Sequence, residues 1–254
     1  MTQPGPPCRL SLLDVQITLT GDRPAIADGL AGLGSFALNA RSDNQPANAV
    51  DCPVGAGTSP GQLLAELTRL AVQHSPRLCL HAGVVSCPTG TVVVPGSSGL
   101  GKSTLTAALV QAGFGYLSDE VLAIPRTGGL PARFARPIAV GPESWTVLGL
   151  DPALRPAAGD ERLIEPERLG RLAEPAPIRH ILLAERRPGG PELAEQSRGT
   201  AVPVLLSRAF NHFRDPAGSF QAAVALARQA QVWMVRYQQA PELAELLAER
   251  WLDR

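Results

Sequence analysis

An α/β fold with a mixed sheet is predicted for residues 77–254, preceded by a small α+β lobe over residues 1–76, and three observations predict it. The first is the octet Gly96-Ser97-Ser98-Gly99-Leu100-Gly101-Lys102-Ser103, set between the β-branched run Thr91-Val92-Val93-Val94 and a helical stretch over 103–112 that Gly113 stops. The second is the short link Cys87-Pro88-Thr89-Gly90 between the apolar runs at 78–86 and 91–94. A link that short cannot make a parallel crossover, so the two runs form an antiparallel hairpin feeding the octet, which argues against a plain doubly wound sheet. The third is a shift in composition: residues 41–58 are polar and rich in Asn, Pro and Gly, and a capped helix then runs up to a boundary near Ser75-Pro76.

The octet fits G-x-x-x-x-G-K-[ST], the P-loop pattern. Its glycines let backbone N–H groups turn inward around phosphates, and the following helix adds its positive N-terminal end. Lys102 is the only lysine among the 23 lysine and arginine positions of the chain. A compact ammonium on a flexible stem reaches phosphate oxygens where a planar guanidinium does not fit. Residues 96–103, with Thr104 after them, are therefore the expected nucleotide-binding set, and the Ser103 hydroxyl is the expected Mg²⁺ ligand of the loop.

In the amino-terminal lobe, alternation along Leu13-Val15-Ile17-Leu19 and Phe36-Leu38 predicts strands, with turns at Gly21-Asp22 and Gly32-Leu33-Gly34. Ser59-Pro60-Gly61-Gln62 combines an N-cap serine, a proline at the first helical position and a glutamine three residues on. Leu63, Leu64, Leu67, Leu70 and Ala71 continue it as one apolar face up to His74. Such a lobe either covers a substrate or is a structural appendage.

After the P-loop helix, residues 114–118 predict a short strand running into Asp119-Glu120, and 121–124 a second. Two adjacent carboxylates between apolar stretches are costly to bury without a compensating cation. Beside a nucleotide that cation is Mg²⁺, with one carboxylate on the metal and the other accepting a proton; the alternative is a pair of solvated turn residues. Further on, 178–184 and 232–235 predict strands, 202–213 and 218–231 helices, and Leu243, Leu246, Leu247 and Trp251 one face of a closing helix. Arg208, Asn211, His212 and Arg214 read as a solvated helix face, with substrate contact as the alternative.

Bulk properties narrow the function. Acidic and basic residues balance at 23 each, and no basic stripe marks a nucleic-acid footprint. Pro4, Pro6 and Pro7 stand where a signal peptide would need an apolar run, and no segment resembles a membrane span, so the cytoplasm is the expected compartment. Cys8, Cys52, Cys79 and Cys87 lack C-x-x-C spacing and read as small core residues rather than zinc ligands or disulfides.

The strand carrying His81-Ala82-Gly83, the P-loop and Leu117-Ser118-Asp119-Glu120 together resemble the core of HPr kinase/phosphorylase and its relatives, whose fold is like the P-loop region of PEP carboxykinase. The resemblance is specific over residues 78–124 and weak beyond. It implies ATP- and Mg²⁺-dependent phosphorylation of a serine hydroxyl. Asp119 then falls on the acidic position that serves as base or metal partner, Glu120 replaces the family's second aspartate, and His81 falls on the histidine that assists acid–base chemistry; a hydrogen-bonded structural histidine is the alternative there. The longer Glu120 side chain points to a kinase without the reverse, phosphorylase reaction.

The family's glycine-rich signature downstream of the acidic pair is absent, and Pro131-Ala132-Arg133-Phe134-Ala135-Arg136-Pro137-Ile138 stands in its place. That stretch is similar to divergent HPr-kinase-like proteins found beside peptide-modifying enzymes, lasso-peptide biosynthesis among them. The acceptor implied is a serine of a ribosomal precursor peptide, with Arg133 and Arg136 as candidate phosphate or carboxylate clamps. A small-molecule kinase and a non-enzymatic nucleotide-responsive binding protein are the alternatives. HPr kinases form rings, so the resemblance also admits a homo-oligomer.

Overall fold

The computed structural model describes residues 8–41, 49–96 and 101–252. Residues 42–48 of the expected linker and Pro4, Pro6 and Pro7 lie outside them. The chain divides into two compact units, Met1–Pro76 and Arg77–Arg254.

In the first unit, β1 (Cys8–Leu12) and β2 (Val15–Gly21) form an antiparallel hairpin, and β3 (Val50–Val54) pairs parallel to β2. Leu13 turns the hairpin rather than extending a strand: Leu13 and Asp14 have φ of 50° and 65°, the positive pair that matches the twist of a two-residue hairpin turn. Helix α1 (Arg23–Gly32) starts at Asp22, whose carboxylate accepts from the Ala25 N–H at 3.0 Å. The strand expected at Phe36-Leu38 is instead helix α2 (Gly34–Ala40). Its buried residues, Phe36, Ala37 and Ala40, follow a helical and not a two-residue period. The expected linker also contains a strand, β3, where Cys52 and Val54 point inward and the edge position tolerates Pro53. Helix α3 (Pro60–His74) has the expected capping box, with Gln62 N–H donating to Ser59 Oγ and Ser59 N–H to Gln62 Oε1.

The second unit is a mixed sheet with helices on both faces. Its elements are β4 (Leu78–Cys87), β5 (Gly90–Pro95), α4 (Lys102–Gln111), β6 (Gly115–Ser118), β7 (Val121–Ile124), β8 (Ile138–Val140), α5 (Pro142–Val147), β9 (Arg162–Ile164), β10 (Ile178–Arg186), β11 (Glu192–Gln196), α6 (Ala201–Ser207), α7 (Pro216–Gln229), β12 (Gln231–Tyr237) and α8 (Ala240–Trp251). The strand order is β11-β12-β10-β5-β4-β6, with β7 also on β4. Strand β10 runs parallel to β5 and β12, while β4 is antiparallel to β5, β6 and β7. The hairpin expected from the short 87–90 link is thus β4–β5. Successive side chains of β5 serve opposite faces: Val92 and Val94 join a core with Leu105, Leu109 and Leu247, and Val93 joins another with Leu205, Ala223 and Leu226.

Helix α4 lies close over β4 because position 83 carries no side chain. A Cβ on Gly83 would collide with the Thr106 hydroxyl. The single helix expected over 202–213 ends at Ser207. Beyond it the chain runs beside β4, with a bridge between Ala209 and Leu80 and a bond from Phe210 N–H to the Cys79 carbonyl at 2.9 Å. Asn211, expected on a solvated face, is buried at 1% exposure; its amide donates to the Arg77 carbonyl and its Oδ1 accepts from Cys79 N–H. The open backbone groups of β4 outcompete helix continuation here. Cys52, Cys79 and Cys87 are buried free thiols. Among the described residues no helix is long and apolar enough to cross a membrane.

Candidate active site

Strand β4 acts as the ruler of the site. The His81 carbonyl accepts from Gly96 N–H at 3.2 Å, which fixes the start of the P-loop, and Ala82 N–H donates to the Glu120 carbonyl at 3.1 Å, which fixes the acidic pair. Antiparallel pairing thus puts the hairpin's two products, loop and carboxylates, at one end of the sheet. Residues Ser97, Ser98, Gly99 and Leu100 of the expected nucleotide set lie outside the described residues. Gly101 closes the loop with φ 74° and ψ 23°, a left-handed conformation that glycine adopts without strain, and α4 starts directly after it.

Lys102 is 7% exposed. Burial lowers its pKa, the Glu120 and Asp119 charges oppose that shift, and Arg208 adds to it. An ammonium held that way gains from an anionic ligand. Thr104 Oγ1 and Ser144 Oγ sit 2.6 Å apart, tying the first turn of α4 to α5.

The Asp119-Glu120 turn is built by Ser118, whose Oγ accepts from Glu120 N–H at 3.2 Å and Val121 N–H at 3.0 Å. Asp119 is buried, not solvated. The Tyr116 hydroxyl lies 3.0 Å from its Oδ1 and 2.9 Å from the Arg136 carbonyl, and Arg136 Nε is 3.6 Å from Oδ1. Burial raises the Asp119 pKa above the usual carboxylate value, against the lowering effects of Arg136 and of a hydrogen bond from Ser103. Glu120 goes the other way. Burial would raise it, but His81 Nε2, 3.2 Å from Oε1, together with Arg136 and Lys102 holds it below the usual value.

These groups share one cleft of about 570 Å³, lined by His81, Lys102, Ser103, Asp119, Glu120 and Arg136 together with Gly101 and Thr104. Its volume falls within the roughly 300–1,000 Å³ of ligand pockets. Arg133 is elsewhere, in a surface pair with Glu174 at 2.8 Å. Sequence reasoning missed Arg186, at the end of β10, and Glu143 and Ser144, at the start of α5, all of which line the cleft. The signal for Arg186 was the apolar run at 178–184 reaching its end, because open sheets bind ligands beyond the carboxyl ends of parallel strands.

Among the described residues, no group of three or more His, Cys, Asp and Glu side chains is placed to hold a metal ion by itself. One hydroxyl, Ser103, hydrogen-bonded to one carboxylate, Asp119, could serve only a hard cation that keeps most of its own waters, as Mg²⁺ does. Glu120 is the second carboxylate on the same cleft. Chemically the cleft can hold a polyanion at Lys102 and the start of α4 and take up a proton at a buried carboxylate. No protein-family model and no curated protein matches this chain.

Proposed function

We propose that the protein is an ATP- and Mg²⁺-dependent kinase of the HPr-kinase-like group that phosphorylates a serine hydroxyl, with a ribosomal precursor peptide as acceptor. The observation that carries the reading is the convergence of Lys102, Ser103, Asp119 and the His81–Glu120 pair on one cleft at the start of α4. Lys102 and the loop amides neutralise phosphate charge. Ser103, with Glu120 as its acidic partner, would hold Mg²⁺, whose charge eases the build-up of negative charge on the phosphates when bound. The acceptor hydroxyl oxygen bonds to the γ-phosphorus, the bond to the β–γ bridging oxygen breaks with its electron pair leaving on ADP, and Asp119 takes the hydroxyl proton. Burial supports that last role, since a carboxylate with raised proton affinity is the better acceptor. His81 orients Glu120 and keeps it charged. Catalysis on this account is mainly positioning and electrostatics.

The test is ADP formation from MgATP measured with serine-bearing peptides, with small hydroxyl metabolites, and with neither. Stimulation by peptides alone is expected. Stimulation by metabolites alone moves the acceptor class to small molecules, and nucleotide binding without turnover under any condition contradicts the kinase reading.

A further inference from the structure

Arg208, read from the sequence as part of a solvated helix face with substrate contact as the alternative, is not among the residues that line the cleft. Past the end of β5, the segment after α6 takes over as the neighbour of β4. His81 sits where the two meet: its carbonyl accepts from Gly96 N–H at 3.2 Å, and its amide donates to the Arg208 carbonyl at 2.8 Å. The N–H and C=O of one strand residue point to the same side. The first residue of the P-loop and Arg208 are therefore held side by side, and the Ala209–Leu80 bridge and the Phe210–Cys79 bond pin the segment on its far side.

The side chain is left with unmet needs. Arg208 Nε is buried and has no hydrogen-bond partner among the described residues. The carboxylates whose charges reach Lys102 have other partners: Asp119 with Tyr116 and Arg136, Glu120 with His81. The Arg208 charge also reaches Lys102, where it opposes the ammonium. Two cations held near each other, one with a desolvated and unbonded donor, are stable together when an anion lies between them. Guanidinium geometry suits the oxygens of a phosphoryl group.

We propose that Arg208 binds the terminal phosphoryl group of the nucleotide, contacting its non-bridging oxygens from the β4 side while Lys102 holds it from the loop. The inference rests on the reading of the cleft as a MgATP site and adds a residue to it. Arg208 stays on the phosphoryl group as its bond passes from the β–γ bridging oxygen to the acceptor oxygen, and neither gains nor loses a proton. It thereby distinguishes ATP from ADP.

Calorimetric titration of the full chain with MgADP and with the magnesium complex of a non-hydrolysable β,γ-imido ATP analogue tests this. Arg208→Ala is expected to leave MgADP affinity within about twofold and to weaken the ATP analogue about tenfold or more. Arg208→Lys recovers part of the loss. Arg208→Gln keeps the aliphatic stem and the backbone bonds to His81, and shows the same selective loss if truncation to Ala harms the fold. Equal weakening of both nucleotides, or of neither, by variants with wild-type melting curves overturns the role of Arg208. Failure of the wild-type protein to bind either nucleotide overturns the reading of the cleft itself.

Discussion

His81 Nε2 lies 3.2 Å from Glu120 Oε1, while the backbone of the same histidine holds both Gly96 and Arg208 along one edge of β4. One residue thus joins the acidic pair to the phosphate loop, and side chain and main chain can be tested apart. His81→Ala keeps the backbone bonds and removes the imidazole. Phosphoryl transfer should fall about 10²-fold with MgADP affinity unchanged. Steady-state kinetics beside nucleotide titration checks this, and an unaltered turnover number would leave His81 a purely structural residue.

Asp119 links activity and stability in opposite directions. Its pKa is raised by burial, so the folded state binds more protons than the unfolded chain just above the ordinary carboxylate range, and stability falls as pH rises through that window. Asp119→Asn mimics the protonated form. It should abolish transfer while raising the melting temperature at neutral pH. A melting temperature lowered by the substitution would show that the pairing with Arg136 outweighs the burial cost.

Gly83 and Thr106 set the spacing between β4 and α4. Among the described residues the buried Thr106 hydroxyl has no hydrogen-bond partner, and a Cβ at position 83 would collide with it. Gly83→Ala should cost about 1–3 kcal/mol through overpacking. Thr106→Ala should be close to neutral, and the double variant should recover most of the loss, a coupling that denaturant unfolding measures directly. Additive effects would place the strain elsewhere.

His180 carries a pH dependence remote from the cleft. Its ring stacks on Trp251 with centroids 4.2 Å apart, Nε2 is 3.0 Å from Thr89 Oγ1, and Nδ1 accepts from Trp233 Nε1 at 3.4 Å. Burial first, then Arg179 and Arg250, lower its pKa to about 4 from 6.5. The unfolded chain therefore binds the proton first, and stability is complete above about pH 6.5 and lost as pH falls toward 4. The loss should approach about 3 kcal/mol. Urea unfolding across that range checks it; His180→Gln should flatten the slope, and an equal slope in the variant would assign it to other groups.

Local chemistry made part of this molecule legible in its sequence. The four-residue link at 87–90 dictated the β4–β5 hairpin by chain length, and Ser59 and Gln62 announced α3 through their capping pattern. Lys102 and Ser103 were readable from the P-loop pattern, Asp119 and Glu120 as adjacent carboxylates and His81 through the family resemblance, and all five line one cleft. What escaped depends on tertiary neighbours. Phe36-Ala37-Leu38 looks alternating but is helical, because its packing partners decide the period. Asn211 and Arg208 sit in a sequence that continues a helix, and only the open backbone of β4 draws the segment out of it. Arg136 and Arg133 are three residues apart and equivalent in composition, yet one faces Asp119 and the other the surface.

Mass spectrometry of serine-bearing peptides incubated with the protein, ATP and Mg²⁺, beside Lys102→Ala and Asp119→Asn, tests the central claim most directly. A phosphate-sized mass gain on serine with the wild-type protein, absent with both variants, is the predicted result. A gain that survives in Asp119→Asn, or no gain on any peptide while MgATP binds, would contradict it.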